Sequence, residues 1–223
     1  MIVMFKRIKS FFGRIYRFII YEIFAKHISF LKPIYYSRSN LNPITFKTWI
    51  MQKIFGFNRH AYWPVHFTTV VVGYKNIYVG KSVSLGASNG CYIQAVGKVF
   101  VGDYTQVAPN VGIISSNHFM LDIREHVKSE VRIGEYCRIG MGSVILPGVQ
   151  LGDFTTVSAG SIVNTSFPNG YCVISGNPAR IVADYSKSDS IKEKFIRFKN
   201  PYEFNGYIPA EKFDAYRKKH LNV

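Results

Sequence analysis

Residues 133–163 read IGEYCRIGMGSVILPGVQLGDFTTVSAGSIV. From Ile133 an aliphatic residue returns at every sixth position: Ile139, Ile145, Leu151, Val157 and Val163. Four places after each of the first five stands a small or medium residue: Cys137, Ser143, Val149, Thr155 and Ser161. A helix repeats at about 3.6 residues and a lone strand at about 2, so neither produces this pattern. Six residues suffice for one short strand and one turn, and three such sides close a triangular coil of about eighteen. The aliphatic residue and its small partner then point inward. Coils stack at roughly 4.8 Å, the spacing of neighbouring strands, so equivalent inward side chains form ladders and no coil is stable alone.

The pattern extends upstream. Val79, Leu85 and Cys91 are spaced by six; after a slip of phase around Gly97 and Lys98 it resumes at Val101, Val107 and Ile113, with Thr105, Val111 and Asn117 as small partners. Glycine follows the aliphatic residue in Val79-Gly80, Leu85-Gly86, Val101-Gly102, Ile133-Gly134, Ile139-Gly140 and Leu151-Gly152, which predicts corners of positive φ. An up-and-down β-sandwich is the alternative, but it needs longer strands with period-2 alternation. One insertion interrupts the repeat: FMLDIREHVKSE, residues 119–130, between His118 and Val131. It must loop out of the solenoid, and loops extruded from a rigid scaffold commonly carry function.

The chain has 223 residues, 48% hydrophobic and 18% charged, a balance that excludes disorder and allows one main domain with appendages. The net charge of +15 is uneven: residues 1–60 hold 11 Lys/Arg against the single acid Glu22. Residues 1–28 read as an amphipathic helix with Met4, Phe5, Ile8, Phe11, Phe12, Ile15 and Ile19 near one side and Arg7, Arg14 and Arg17 away from it. Its apolar stretch, broken by Arg17 and Glu22, is too short to span a bilayer, which needs about 20 apolar residues. No signal-peptide cleavage site is evident. Cys91, Cys137 and Cys172 form no CxxC, so neither zinc nor a disulfide framework is supported and a reducing cytoplasm is the expected compartment. A short helix is expected around Ile191–Phe198.

The segments 139–163, GNPARIV (176–182) and VGDYTQVAPNVGIISSNH (101–118) resemble the hexapeptide-repeat acetyltransferases, over roughly residues 77–182. The resemblance implies a mainly β fold, a left-handed parallel β-helix, with an N-terminal helical arm (1–66), the helix itself (67–182, loop 119–130) and a C-terminal helical tail (183–223). The hand comes from the resemblance alone, since parallel strands generally prefer right-handed crossovers. It also implies an acetyl-CoA-dependent O-acetyltransferase that needs no metal and works as a homotrimer. FGFNRHAYWPVH (55–66) looks like the capsule, O-antigen and exopolysaccharide branch, which implies a sugar hydroxyl as acceptor in cell-surface polysaccharide assembly. Alternatives are acetylation of another small hydroxyl compound, of serine or antibiotic type, and a non-catalytic solenoid scaffold.

Acetyl transfer from a thioester to an alcohol requires a base near neutral pH, and imidazole suits it. His118, in SSNH before the extruded loop, matches the family's catalytic histidine. Asp122 is a candidate to orient the imidazole, with Glu125 and His126 as weaker candidates. The resemblance assigns the backbone amide of Met141 to the oxyanion, Ala159 and Gly160 to the pantetheine arm, and Arg180 to the nucleotide phosphates. The family's threonine–lysine pair after the last repeat is here Asn164-Thr165, which leaves Thr165 for the cofactor. Arg138 stands where the family usually has tryptophan, and with Asn117 is expected on the acceptor side. His60 and His66 are expected at the mouth of the first coil and bind no metal. The basic arm is expected either to touch an anionic inner leaflet peripherally or to pack on its own solenoid, and no nucleic acid is expected.

Overall fold

The aliphatic hexads stack into three ladders. The computed structural model describes residues 13, 15–16, 18–39, 43–198 and 203–223. The first coil holds β1 (Val70–Val72) and β2 (Ile77–Val79); the second β3 (Tyr92–Gln94), β4 (Lys98–Val101) and β5 (Gln106–Val107). The third begins with β6 (Gly112–Ile114), leaves the solenoid as a hairpin of β7 (Ser116–His118) and β8 (His126–Lys128), and returns through β9 (Glu130–Ile133) and β10 (Arg138–Ile139). The fourth is β11 (Val144–Ile145), β12 (Gln150–Leu151) and β13 (Thr156–Val157); the fifth contains β14 (Ile162–Val163) and β15 (Cys172–Gly176), after which β16 (Ala179–Asp184) turns back antiparallel. The strands form three faces: A is β1-β3-β6-β11-β14, B is β2-β4-β9-β12, and C is β5-β10-β13-β15-β16.

Register shows the period directly. Arg138 lies opposite Thr156, Arg132 opposite Gln150 and Val144 opposite Ile162, each pair eighteen residues apart. The inward ladders are Ile93-Ile113-Ile145-Val163 on face A, Val79-Val101-Ile133-Leu151 on face B and Val107-Ile139-Val157-Ile174 on face C, all buried. Full burial of each such side chain contributes about 1.5–3 kcal/mol before the entropy of ordering. The small partners are buried too, and their hydroxyls are satisfied inside the coil. Thr105 Oγ1 donates to Gly134 O, Ser143 Oγ to Gly140 O and Thr155 Oγ1 to Gly152 O, each at 2.7 Å.

Three expectations are corrected. Cys91 is not a ladder aliphatic: Ile93 pairs with Ile113, so Cys91 takes the small-partner place. The phase therefore slips twice, by two residues between Leu85 and Ile93 and again between Ile93 and Val101. Asn117 is not an inward partner but exposed, and Ser115 is the buried residue there. Finally, of the six glycines that follow ladder residues only Gly86 has positive φ. Gly102 and Gly134 serve close approach: a Cβ on Gly102 would lie 2.6 Å from Gly134 C, and one on Gly134 2.6 Å from Asp153 Oδ1. On the edge between faces B and C the positive φ falls instead on Tyr104, Tyr136, Phe154 and Tyr171. Their rings stack in one column with centroids 5.0, 4.8 and 5.1 Å apart.

The solenoid's first coil is capped by FGFNRHAYWPVH. Trp63 is fully buried with its indole N–H on Leu85 O (2.9 Å), and buried Gln52 donates to the carbonyls of Ala61 and Trp63. His60 stacks on Tyr74 and His66 bonds Thr68. Of the expected arm helix, Met4, Phe5, Arg7, Ile8, Phe11, Phe12, Arg14 and Arg17 lie outside the described residues; Phe18–Ala25 is a wide, π-type helical segment. The tail helix is shorter than expected, Asp189–Lys192. A second helix, Ala210–His220, was not anticipated; it packs Phe213 against Tyr62 and Tyr78.

Candidate functional site

His118 closes β7, where it lies opposite His126 of β8. It therefore stands on the hairpin stem and not, as the hexad phase implied, on the coil. Its Nδ1 contacts the Ile123 carbonyl at 2.5 Å. A carbonyl only accepts, so Nδ1 carries a proton, and in the neutral imidazole the lone pair then falls on Nε2. No partner for Nε2 is found among the described residues, and the ring is exposed. The His126 ring lies 4.5 Å away, centroid to centroid.

The loop is tied by its own backbone, Phe119 N–H to Glu125 O (2.9 Å) and Glu125 N–H to Asp122 O (3.0 Å). Asp122 does not orient the imidazole. Its carboxylate accepts from the Arg124 backbone N–H at 3.0 Å and from the Arg124 guanidinium at 2.6 Å, bonds that hold the Asp122 carboxyl below its usual range. The orienting group is the backbone carbonyl of Ile123, for which a side-chain pattern gives no signal. The loop tip is apolar and bare: Met120, Leu121 and Ile123 are 87%, 81% and 75% exposed. That feature was readable in the sequence as apolar residues inside an extruded loop.

The other candidates lie elsewhere. Between faces C and A the turns of successive coils stack, with Gly142 N–H on Pro109 O (3.1 Å) and Gly160 N–H on Met141 O (2.8 Å). Gly140 is required here, because a Cβ would come 2.5 Å from Ala159 N. Gly160 has φ +69° and nothing within 4 Å of its Cβ position, so the surface beside it is open. A groove of about 570 Å³ runs beside this edge over face C, lined by Gln106, Arg138, Gly140, Thr156 and Ala159. Arg180 stands on β16 opposite Ser175, exposed, with one guanidinium nitrogen on Ala179 O at 2.9 Å.

The candidates thus fall on two edges of the prism. Asn117, His118, Asp122 and, after β14, Thr165 belong to the A/B edge; Met141, Ala159, Gly160 and Arg180 belong to the C/A edge, with Arg138 beside them on face C. Face A lies between the edges. Its strand β6 with flanking residues, 110 to 115, covers roughly 15 Å at about 3.3 Å per residue. A base and an oxyanion donor must both stand about 3 Å from the reacting group. On one chain the two edges are separated by the width of face A.

The six-repeat bacterial transferase hexapeptide family matches residues 130–165. YvoF of Bacillus subtilis, an acetyltransferase by name only, is 33% identical over 129 residues, covering 54% of this chain and 72% of that protein. The galactoside O-acetyltransferase of Escherichia coli is 31% identical over 130 residues, 56% of this chain and 61% of the enzyme. Other curated relatives are matched over 57–60% of their length. Among solved structures, a maltose O-acetyltransferase from Clostridium difficile superposes with a TM-score of 0.50 at 26% identity, covering 72% of this chain and 90% of that one. These likenesses fix the hand of the coil: the solenoid is a left-handed parallel β-helix.

Proposed function

The chain belongs to the bacterial hexapeptide-repeat transferase family, and from that premise we propose that it transfers acetyl from acetyl-CoA to a sugar hydroxyl in cell-surface polysaccharide assembly. The observation that carries this is the contact of His118 Nδ1 with Ile123 O, which leaves Nε2 of the neutral imidazole to accept a proton. Nε2 takes the proton of the acceptor hydroxyl as its oxygen attacks the thioester carbonyl. The Met141 N–H donates to the oxygen that becomes negative. Collapse of the tetrahedral intermediate breaks the carbon–sulfur bond and expels the coenzyme A thiolate, which recovers the proton from the imidazolium.

The groove along Gly140 and Ala159, with the open surface at Gly160 beside it, suits the pantetheine arm, because small residues there permit close approach. Arg180 meets phosphate at its end, and Arg138 turns a cation toward the acceptor. Because base and oxyanion donor lie on separate edges, the working unit is a ring of three chains in which the A/B edge of one faces the C/A edge of the next. The bare tip Met120, Leu121 and Ile123 is buried against that neighbour. The first residues hold the ring on an anionic membrane: Phe18, Ile23 and Phe24 are exposed, and Glu22 is paired with Arg38 at 2.7 Å, leaving the arm's other cations in excess. No helix among the described residues is long and apolar enough to cross a bilayer. Cosedimentation with anionic vesicles at low salt, lost in a chain beginning near residue 30, checks the membrane contact.

Incubation of the purified protein with acetyl-CoA and a panel of nucleotide sugars, oligosaccharides, serine and aminoglycosides, read as mass shifts, tests the reading. Acetyl gain by a saccharide is expected. Acetylation of serine or an aminoglycoside alone replaces the acceptor, and no release of coenzyme A with any acceptor contradicts the enzyme.

A further inference from the structure

A cavity of about 750 Å³ belongs to neither edge. It lies at the capped end of the solenoid, between the N-terminal helices and the C-terminal hairpin of β17 (Phe204–Asn205) and β18 (Ile208–Pro209). Its volume is in the range of a ligand site. Three ammonium groups line it, from Lys32, Lys53 and Lys212, and no carboxylate pairs with any of them among the described residues. Of the two acids in its wall, Glu203 is already spent: one carboxylate oxygen takes Lys81 Nζ at 2.8 Å and the other Tyr104 O–H at 2.9 Å. Glu211 is the remaining acid. Lys53 is half-buried with its Nζ 4.5 Å from the Tyr207 ring centroid, and burial lowers its pKa. A partly desolvated ammonium with no paired carboxylate is stabilised by an anion.

Aromatic rings make up most of the rest of the wall, with Ser29, Pro33 and Pro209 between them. Phe30 stacks on Trp49 with centroids 5.6 Å apart, and Tyr36 on Phe204 at 6.1 Å. These rings face one another, so no slot is left between them for a planar base, while Phe30 offers an outer face at 62% exposure. A one-sided aromatic platform beside cations suits a pyranose ring carrying a carboxylate or phosphate. We propose that this cavity is a second saccharide site, which holds an anionic stretch of sugar chain away from the acetyl-transfer site. The saccharide rests on the acceptor reading above; the demand for an anion does not.

Trp49 in the wall and fully buried Trp63 are the two tryptophans of the chain, so intrinsic fluorescence reports on the cavity without any acetyl transfer. The full-length protein is titrated with tetragalacturonate, with neutral maltotetraose and with inorganic phosphate. Saturable change is expected with tetragalacturonate, at least about tenfold tighter than with maltotetraose. Lys53→Gln weakens it by about tenfold or more and Lys53→Arg restores most of it; exposed Lys212→Gln gives a smaller loss and serves if Lys53→Gln fails to fold. No saturation, equal binding of maltotetraose, or indifference to both lysine variants overturns the proposal, as does phosphate binding as tightly as the tetramer. Binding by a protein inactive toward every acceptor upholds the site and contradicts only the acceptor reading; activity without binding does the reverse.

Discussion

The two edges that flank face A differ in how they are held. On the C/A edge every turn is bonded to the turn of the next coil, and what it presents is backbone and small side chains at fixed spacing: Met141, Ala159 and Gly160. On the A/B edge the third coil breaks open, and the hairpin that leaves it is exposed from Asn117 to Lys128 except at half-buried Asp122. The first edge suits a dipole that must not move when charge develops. The second carries a titratable side chain on an arm long enough to reach another chain. On the proposed mechanism, fixed donor and reaching base are therefore supplied by different parts of the fold.

Breaking the hairpin's contribution should have the largest effect. His118→Ala is expected to lower kcat by about 10²–10⁴ while calorimetric affinity for acetyl-CoA stays as in the wild type; a fall of less than about tenfold would return His118 to a structural role. Next comes the opposite edge. Arg180→Ala should raise the KM for acetyl-CoA by about tenfold with kcat little changed, because a charged hydrogen bond remote from the thioester is uniform binding. Steady-state kinetics at saturating acceptor reads both numbers, and an equal loss in kcat would move Arg180 closer to the chemistry. The smallest effect sharpens the comparison within the hairpin. Asp122→Asn should cost kcat no more than a few-fold, since the carboxylate bonds Arg124 and the imidazole is held by the Ile123 carbonyl. A loss as large as that of His118→Ala would show that the carboxylate serves the base directly.

The lower coils were legible because Ile133 to Val163 keep phase without interruption, and inward aliphatics are forced by burial. The upper coils were less so. Cys91 passes equally for a ladder residue and for a small partner, which hid one of the two slips. A glycine after a ladder residue announces positive φ, yet only Gly86 of the six has it, and on the B/C edge φ > 0 is borne by Tyr104, Tyr136 and Phe154. Tertiary contacts hold these three there: each N–H bonds the preceding coil, at Lys81, Asp103 and Glu135 O respectively. The helix Ala210–His220 buries only Phe213 of its eleven residues, so no periodic face announced it. At the candidate site, the motifs single out which residues to place, but their division between two edges depends on where each turn falls around the coil.

That division is tested most directly by mixing two defective chains. His118→Ala removes the base from the A/B edge, and Ala159→Trp fills the exposed groove of the C/A edge. Each alone should be nearly inactive. When the two are co-refolded in equal amounts, random three-membered rings place an intact A/B edge against an intact C/A edge at about a quarter of the sites. The account predicts recovery of about a quarter of wild-type kcat per chain. No activity above that of the separate variants would mean that base and oxyanion donor come from the same chain, and would contradict it.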